Sequence, residues 1–316
     1  MTPVGVDIAK LKFDVAALIN GKYKSKTFSN TPAGIKQFSQ WLTRFESPHV
    51  TLEATGRYGE ALSIALADSG VKISIVNPSR IAAFAKTELA RSKTDKEDAK
   101  LIARFCELHR PSLWQPPPRS QRQLQMLVRR LDNLLQMKQM ENNRLEGADA
   151  VVLSSLNAVL ATLETQIQAT RAQISDHIDN DPDLRNRRDL LDTIPGLGEA
   201  TIPVILSALG EPQRFSSQRQ VAAFAGLNPA EHQSGERRGK TRLSKKGDSL
   251  LRKALYMPAM VAWRHNPTIR NFCERLKSRG KAGKAIVGAA MRKLLCLAYA
   301  VLKSGVPYDP KRVLAR

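Results

Sequence analysis

Residues 4–29, VGVDIAKLKFDVAALINGKYKSKTFS, decide how the first part of this chain is read. Three short runs, VGVDIA, KFDVAALI and KYKSKTFS, carry strand-like patterns. Asn20-Gly21 between the second and third suits a tight turn in which both residues take positive φ, so these two runs form a hairpin. Asp7 sits inside the first run among apolar neighbours. An aspartate in a buried strand is disfavoured unless something pairs with it.

Outward from this stretch, residues 32–46 read as a helix. HVTLEAT and VKISIVNP read as two more strands, separated by the helix-like GEALSIALADSG, and residues 79–109 read as helical, ending before Pro111. Three antiparallel strands followed by strand-helix-strand units predict an α/β domain with a mixed sheet and helices on its faces. Pro111 and Pro116-Pro117-Pro118 mark a linker, because proline cannot continue a helix there. Beyond it Leu124, Leu127, Leu131 and Leu134 keep a heptad-like seam. Leu156, Leu160, Leu163, Ile167, Ile174 and Ile178 resume it past Gly147, which predicts two long antiparallel helices in a hairpin or coiled coil. A mainly α region follows. Its segment IPGLGEATIPVIL reads as helix, glycine turn, helix, with Gly196 and Gly198 freeing backbone amides to face a phosphate, as in a helix-hairpin-helix. The expected division is residues 1–112, 113–185 and 186–316.

Fifty Lys and Arg against 29 Asp and Glu give a formal charge of +21. That excess points to a large polyanion, nucleic acid first. Aromatic residues make up only 5% of the chain, which disfavours base stacking as the main binding mode. The N-terminus shows no charged leader with an apolar core, and no uninterrupted apolar run reaches the roughly 18 residues of a membrane span. A cytoplasmic location without membrane attachment is expected. Cys106, Cys273 and Cys296 lack the spacing of a zinc site or a disulfide framework and read as buried thiols.

Glu53, in VTLEATG, repeats the anomaly of Asp7: an acid at the end of a strand with apolar or small neighbours. KTDKEDAKLIARF, residues 93–105, adds Asp95 and Asp98, which share one helix face at a spacing of three. Each acid taken singly reads as structural. Together, on adjacent central strands and a helix packed across them, they would need cations, and two Mg²⁺ or Mn²⁺ ions with oxygen ligands complete the set. Two metals about 3.5–4 Å apart serve phosphodiester exchange. Asp14 is the alternative should Asp7 be structural. In the C-terminal block, from Arg237 to Lys253, eight Lys or Arg accompany one Asp. Arg237, Arg238, Lys240, Arg242, Lys245 and Lys246 are the expected phosphate contacts.

GVDIAK, LEATG and KTDKEDA in this order, before a basic region containing AGLNPAEHQSGERRGKTRLSKKGDSLLRKAL, resemble the insertion-sequence transposases with a RuvC-like DEDD domain, the group that includes Piv-type DNA invertases. The resemblance covers nearly the whole chain. It implies an RNase H-like N-terminal fold, with the DEDD set on Asp7, Glu53, Asp95 and Asp98. It also implies a serine nucleophile in the C-terminal domain, at Ser234, forming a transient phosphoserine link to DNA. From spacing alone Ser234 is an ordinary loop serine, and Ser244 and Ser249 are rivals. A structured guide RNA pairing with donor and target DNA is a further implication. The long helices would carry a homo-oligomer, dimer or tetramer. The rival function is a junction-resolving nuclease using the same carboxylates to activate water.

Overall fold

The computed structural model describes the chain except residues 55, 89–93, 231, 232, 235, 236, 239–241 and 312–316; the side chains of residues 57, 233, 234, 237 and 238 are also outside the description. The described residues form two compact units, Met1–Pro116 and Pro117–Arg316.

In the first unit, β1 (Thr2–Ile8), β2 (Lys12–Ile19) and β3 (Lys22–Ser29) are followed by α1 (Pro32–Leu42), β4 (Pro48–Glu53), α2 (Glu60–Asp68), β5 (Lys72–Val76), α3 (Pro78–Thr87) and α4 (Asp95–His109). The sheet order is β3-β2-β1-β4-β5, with β1, β2 and β3 antiparallel and β4 and β5 parallel to β1. Asn20 and Gly21 both have positive φ, 48° and 76°, as the hairpin turn requires. The five expected strands are therefore all present, in the mixed sheet expected of an RNase H-like domain.

Side chains alternate across the sheet, so its two faces can be read from the register. Val4, Val6, Val15, Val50, Leu52 and Ile73 point to one side, where they are buried against Phe38 and Trp41 of α1 and Leu62 and Leu66 of α2. Phe13 stacks on Phe28 at 5.6 Å and meets Phe38 edge-on at 5.4 Å, closing that core at the hairpin side. The other face receives α4, which packs on β1, β2 and β4.

The helical segment expected over 79–109 divides into α3 and α4. Asn77 caps α3, its Oδ1 accepting from the Ser79 amide at 2.9 Å, and Thr94 starts α4, its Oγ1 accepting from the Glu97 amide at 3.3 Å. A capping threonine followed by Asp95, Glu97 and Asp98 in the first turn is a helix start, favoured by the positive end of the helix dipole.

The second unit opens with α5 (Arg119–Leu145) and α6 (Ala150–Asp179). The two run antiparallel: Ser120 meets His177 at one end and Lys138 pairs with Glu164 further along. Leu163, Ile167, Ile174 and Ile178 of the expected seam are buried, as are Leu124 and Leu134. Towards the loop the seam opens, leaving Val151 87% exposed and Met140 52% exposed. After α7 (Pro182–Asp192), α8 (Ile202–Leu209) and α9 (Gln218–Phe224) come two short strand pairs, β6 (Pro229–Ala230) with β9 (Arg242–Leu243) and β7 (Gln233–Ser234) with β8 (Arg237–Arg238). The chain continues through α10 (Ser249–Ala254), α11 (Tyr256–His265), α12 (Pro267–Ser278) and α13 (Gly283–Ser304).

Three segments were expected where the structure has two units. Leu124 and Val128 of α5 and Ile174 and Ile178 of α6 share one core with Leu191, Leu206, Leu255 and Leu294, so the bases of the long helices are part of the C-terminal unit. Among the described residues two helices, α6 and α13, are long and apolar enough on average to cross a membrane, yet neither is an uninterrupted apolar run. Lys284, Arg292 and Lys293 interrupt α13, the core helix of its unit, and Ser154, Asn157, Thr162 and Glu164 interrupt α6. Cys106 and Cys273 are buried free thiols, and Cys296 is only partly covered.

Candidate functional site

The acidic face of the sheet is built on a row of small residues. Ala16, Gly5, Thr51 and Ser74 are register neighbours across β2, β1, β4 and β5, and all point towards α4. Gly5 is indispensable there: a Cβ on it would fall 2.0 Å from the Ala99 carbonyl oxygen and 2.3 Å from the Ala103 amide nitrogen. Sheet and helix backbones approach so closely that the start of α4, one turn before Ala99 and Ala103, stands over the next row of the sheet.

That next row is acidic. Asp7 is paired in register with Asp14 across the antiparallel β1–β2 ladder. Glu53 follows Leu52, the register partner of Val6 in the parallel β1–β4 ladder, so Glu53 lies on the same face and at the same level as Asp7. From the helix come Asp95 and Asp98. Burial first, then the charges of Asp98, Asp95 and Asp14, push the Asp7 carboxyl from 3.8 up to about 6, against the hydrogen bond from the Ile8 amide. Ionising Asp7 costs free energy because three like charges face a half-desolvated group.

Asp14, only 2% exposed, is held from two sides. Thr27 Oγ1 donates to its Oδ1, and Lys12 Nζ lies 3.1 Å from its Oδ2. The same ammonium lies 2.9 Å from Asp95 Oδ2, and its hydrogen bond holds the Asp95 carboxyl below the usual carboxylate range.

The structure thus brings Asp7, Asp95 and Asp98 into mutual influence, with Glu53 on the same face by register. Asp14, expected only as a substitute for Asp7, stands beside it instead. Lys12 was absent from the sequence reading; its place two residues before Asp14 on one strand was the available signal. The donor set is carboxylate oxygen throughout, the chemistry of a hard divalent cation, and a cation would relieve the repulsion that raises Asp7. The residues fit such an ion in kind, although among the described residues no three acids, histidines or cysteines close into one coordination sphere.

The candidate nucleophile lies in the second unit. The backbone of Ser234 pairs with that of Arg237, and Gln233 with Arg238, in the β7–β8 hairpin. Lys240 lies outside the described residues. In the same unit, Arg242 and Lys246 line an open groove with Ala223, Asn228, Ala230, Leu243 and Ser244. Among the described residues, no carboxylate lies within ion-pair distance of Arg242, Lys245 or Lys246. Lys245 takes a positive φ of 55° and donates its amide to the Gly226 carbonyl at 3.1 Å. Gly247 has φ of 147°, and a Cβ there would meet the Phe224 carbonyl oxygen at 2.3 Å, so the basic loop is pressed onto the end of α9. Arg252, counted among the basic residues of this block, serves the fold: its guanidinium donates to the Ala225 carbonyl at 2.9 Å.

Gly196 and Gly198 do join two helices, α7 and α8. Gly196 has φ of 108°, and a Cβ on it would lie 2.6 Å from Ala262 Cβ in α11. It is required by packing. Gly198 has open space around its Cβ position, and its carbonyl accepts from the Thr201 and Ile202 amides at 2.8 and 3.0 Å.

Comparison with known proteins gives the following. Residues 188–274 match the family described as Transposase IS116/IS110/IS902 family, and residues 4–150 match a DEDD transposase family of IS110 type, described as Transposase. The chain is 35% identical to the pilin gene-inverting protein of Moraxella bovis, over 98% of each chain. The protein of that name from Moraxella lacunata is also 35% identical over 98% of each chain. The transposase for insertion sequence element IS1111A of Coxiella burnetii is 23% identical, covering 83% of this chain and 78% of that one.

Proposed function

This chain belongs to the IS110-type DEDD transposases, enzymes that move DNA, and from that premise we propose that it cuts and rejoins DNA through Ser234 with the help of a divalent ion, Mg²⁺ or Mn²⁺, held by Asp7, Glu53, Asp95 and Asp98. The observation that carries the reading is the acid row: Asp7 is raised to about 6 by burial and by Asp98, Asp95 and Asp14. Such an arrangement is costly for a fold and useful for binding a cation.

A bound divalent ion would lower the charge on the reacting phosphate and help activate an oxygen nucleophile. The chain's own residues do the rest. Ser234 Oγ attacks phosphorus and forms a P–O bond while one ester bond to deoxyribose breaks. The serine proton passes to a basic group, and the released deoxyribose oxygen takes up a proton. An incoming strand hydroxyl then reverses the step on a new partner, freeing Ser234. Arg242, Lys245 and Lys246, with Arg237, Arg238 and Lys240 of the same block, hold the backbone phosphates and offset charge in the transition state. The reading requires the acid row and Ser234 to meet at one phosphodiester, within one chain or between copies. The turn at Gly196 and Gly198 would add a helix-hairpin-helix contact to duplex backbone.

The partners in this reading are donor and target DNA in the cytoplasm, together with a structured guide RNA. The charge of +21 supports more than one polyanion at a time. Val151, Val152, Val159 and Met140 are exposed near the open end of the α5–α6 hairpin, which supports a homo-oligomer formed through these helices.

The test is to incubate the full chain with Mg²⁺, element-end DNA and RNA from the element's flank, then look for DNA covalently attached to protein. The adduct should form with the wild type and be lost in Ser234→Ala. Cleavage that persists in Ser234→Ala without any adduct would overturn the serine role in favour of hydrolysis by water.

A further inference from the structure

Lys12 opens β2 and shares a sheet face with Asp14, two residues on. Its ammonium lies 3.1 Å from Asp14 Oδ2 and 2.9 Å from Asp95 Oδ2, so a single cation joins the central sheet to the first turn of α4. It stands among the carboxylates that drive up the Asp7 carboxyl. We propose that Lys12 is the resident counter-cation of the acid row: it holds Asp14 and Asp95 together while no divalent ion is bound, gives way when one binds, and thereby sets the metal affinity of the site. This rests on the reading of the acids as metal ligands.

Three observations favour exchange over a permanent brace. The lysine side chain is 50% exposed and that of Asp95 is 52% exposed, so the pair is easily opened to water. Asp14 keeps a second partner, the Thr27 hydroxyl, and stays anchored without Lys12. An ammonium is a compact charge on a flexible four-carbon stem, suited to leaving, where a guanidinium fork would hold a carboxylate in fixed geometry. A lysine and a metal ion cannot both use the Asp95 oxygen that Lys12 occupies, and the metal brings twice the charge. Competition for that oxygen makes the lysine an opponent of metal binding. A brace that stayed in place would assist it instead, so the sign of the effect separates the two.

The experiment is a Mn²⁺ titration of the full chain, stripped with chelator and free of nucleic acid, followed by the electron paramagnetic resonance signal of free Mn²⁺. Lys12→Met and Lys12→Gln should bind Mn²⁺ about three- to tenfold more tightly than wild type, the scale of one exposed and one half-buried ion pair. Lys12→Arg should bind Mn²⁺ no more tightly than wild type, because its guanidinium fork holds the same carboxylates at least as firmly. Lys10→Met should stay within about twofold, because Lys10 contacts neither carboxylate and controls for the loss of one positive charge. In chelator the Lys12→Met thermal midpoint should fall below wild type, and saturating Mn²⁺ should close the gap. Equal or weaker Mn²⁺ binding by both Lys12→Met and Lys12→Gln would overturn the proposal. A wild type that binds Mn²⁺ with no such gain rejects this inference and keeps the metal reading, whereas no uptake by any of the chains rejects both.

Discussion

Gly5 of β1 lies directly beneath Ala99 of α4, so closely that a Cβ on the glycine would fall 2.0 Å from the alanine carbonyl oxygen. This contact sets the height of the helix above the sheet, and with it the placing of Asp95 and Asp98 over Asp7. Gly5→Ala forces the two backbones apart. It should destabilise the first unit by about 3 kcal/mol or more, the upper range for overpacking, because backbone atoms have no rotamer with which to yield. Chemical denaturation measures the loss, and Mn²⁺ uptake should fall with it even under conditions where the variant remains folded.

Asp7 makes stability depend on pH in a direction opposite to that of a salt-bridged carboxylate. Its native carboxyl titrates at about 6 against an ordinary 3.8. Between these values the native state keeps a proton that the unfolded state has lost, so this group's contribution declines as pH rises from about 4 through about 6 and is flat beyond. Asp7→Asn holds the neutral form at every pH. In chelator at pH 8 the variant should be the more stable by about 1–2 kcal/mol after solvent screening is allowed for, with the gap shrinking towards pH 4. Added Mn²⁺ should raise the thermal midpoint of the wild type and leave that of Asp7→Asn in place. A wild type more stable than the variant throughout would contradict this account of the acid row.

Arg242 and Lys246 line one groove and have no carboxylate at ion-pair distance among the described residues. Their charges are available for phosphates. Replacing either by Ala should weaken binding to duplexes of unrelated sequence by similar factors and reduce the slope of log affinity against log salt by about 1 per residue. Arg252→Ala is the contrast: its guanidinium serves the Ala225 carbonyl, so the loss should appear in thermal stability first.

Gly196 and Gly198 should part company under substitution. Gly196→Ala meets Ala262 and adopts a strained φ, so the second unit should melt at a markedly lower temperature. Gly198→Ala has room for its methyl and should leave the melt nearly unchanged. If the turn binds phosphate, Gly198→Ala should still weaken DNA affinity, because the methyl then projects into the approach of the backbone. Equal melting temperatures for the two variants would contradict the packing described around Ala262.

What could be read along the chain is what local chemistry dictates. Alternation with a period of 2 marks the strands, Asn20-Gly21 marks the hairpin, and an aspartate at position 7 among apolar residues is out of place unless it has work to do. The excess of basic residues names the class of partner. None of that depends on which segments end up adjacent. Strand order and register do, and they arise from pairings between residues far apart in sequence. Only those pairings set Asp14 opposite Asp7 and lay a row of small residues under α4. They also carry Lys12 to Asp95, which lies 83 positions further along the chain. Likewise Gly196 reads locally as a flexible turn, and only the packing of α11 against it makes it a position without room for a methyl group. Propensity acts over a few residues, whereas like charges and close backbone contacts act through space, so the acids could be named from the chain but their mutual repulsion, and the lysine that answers it, required the fold.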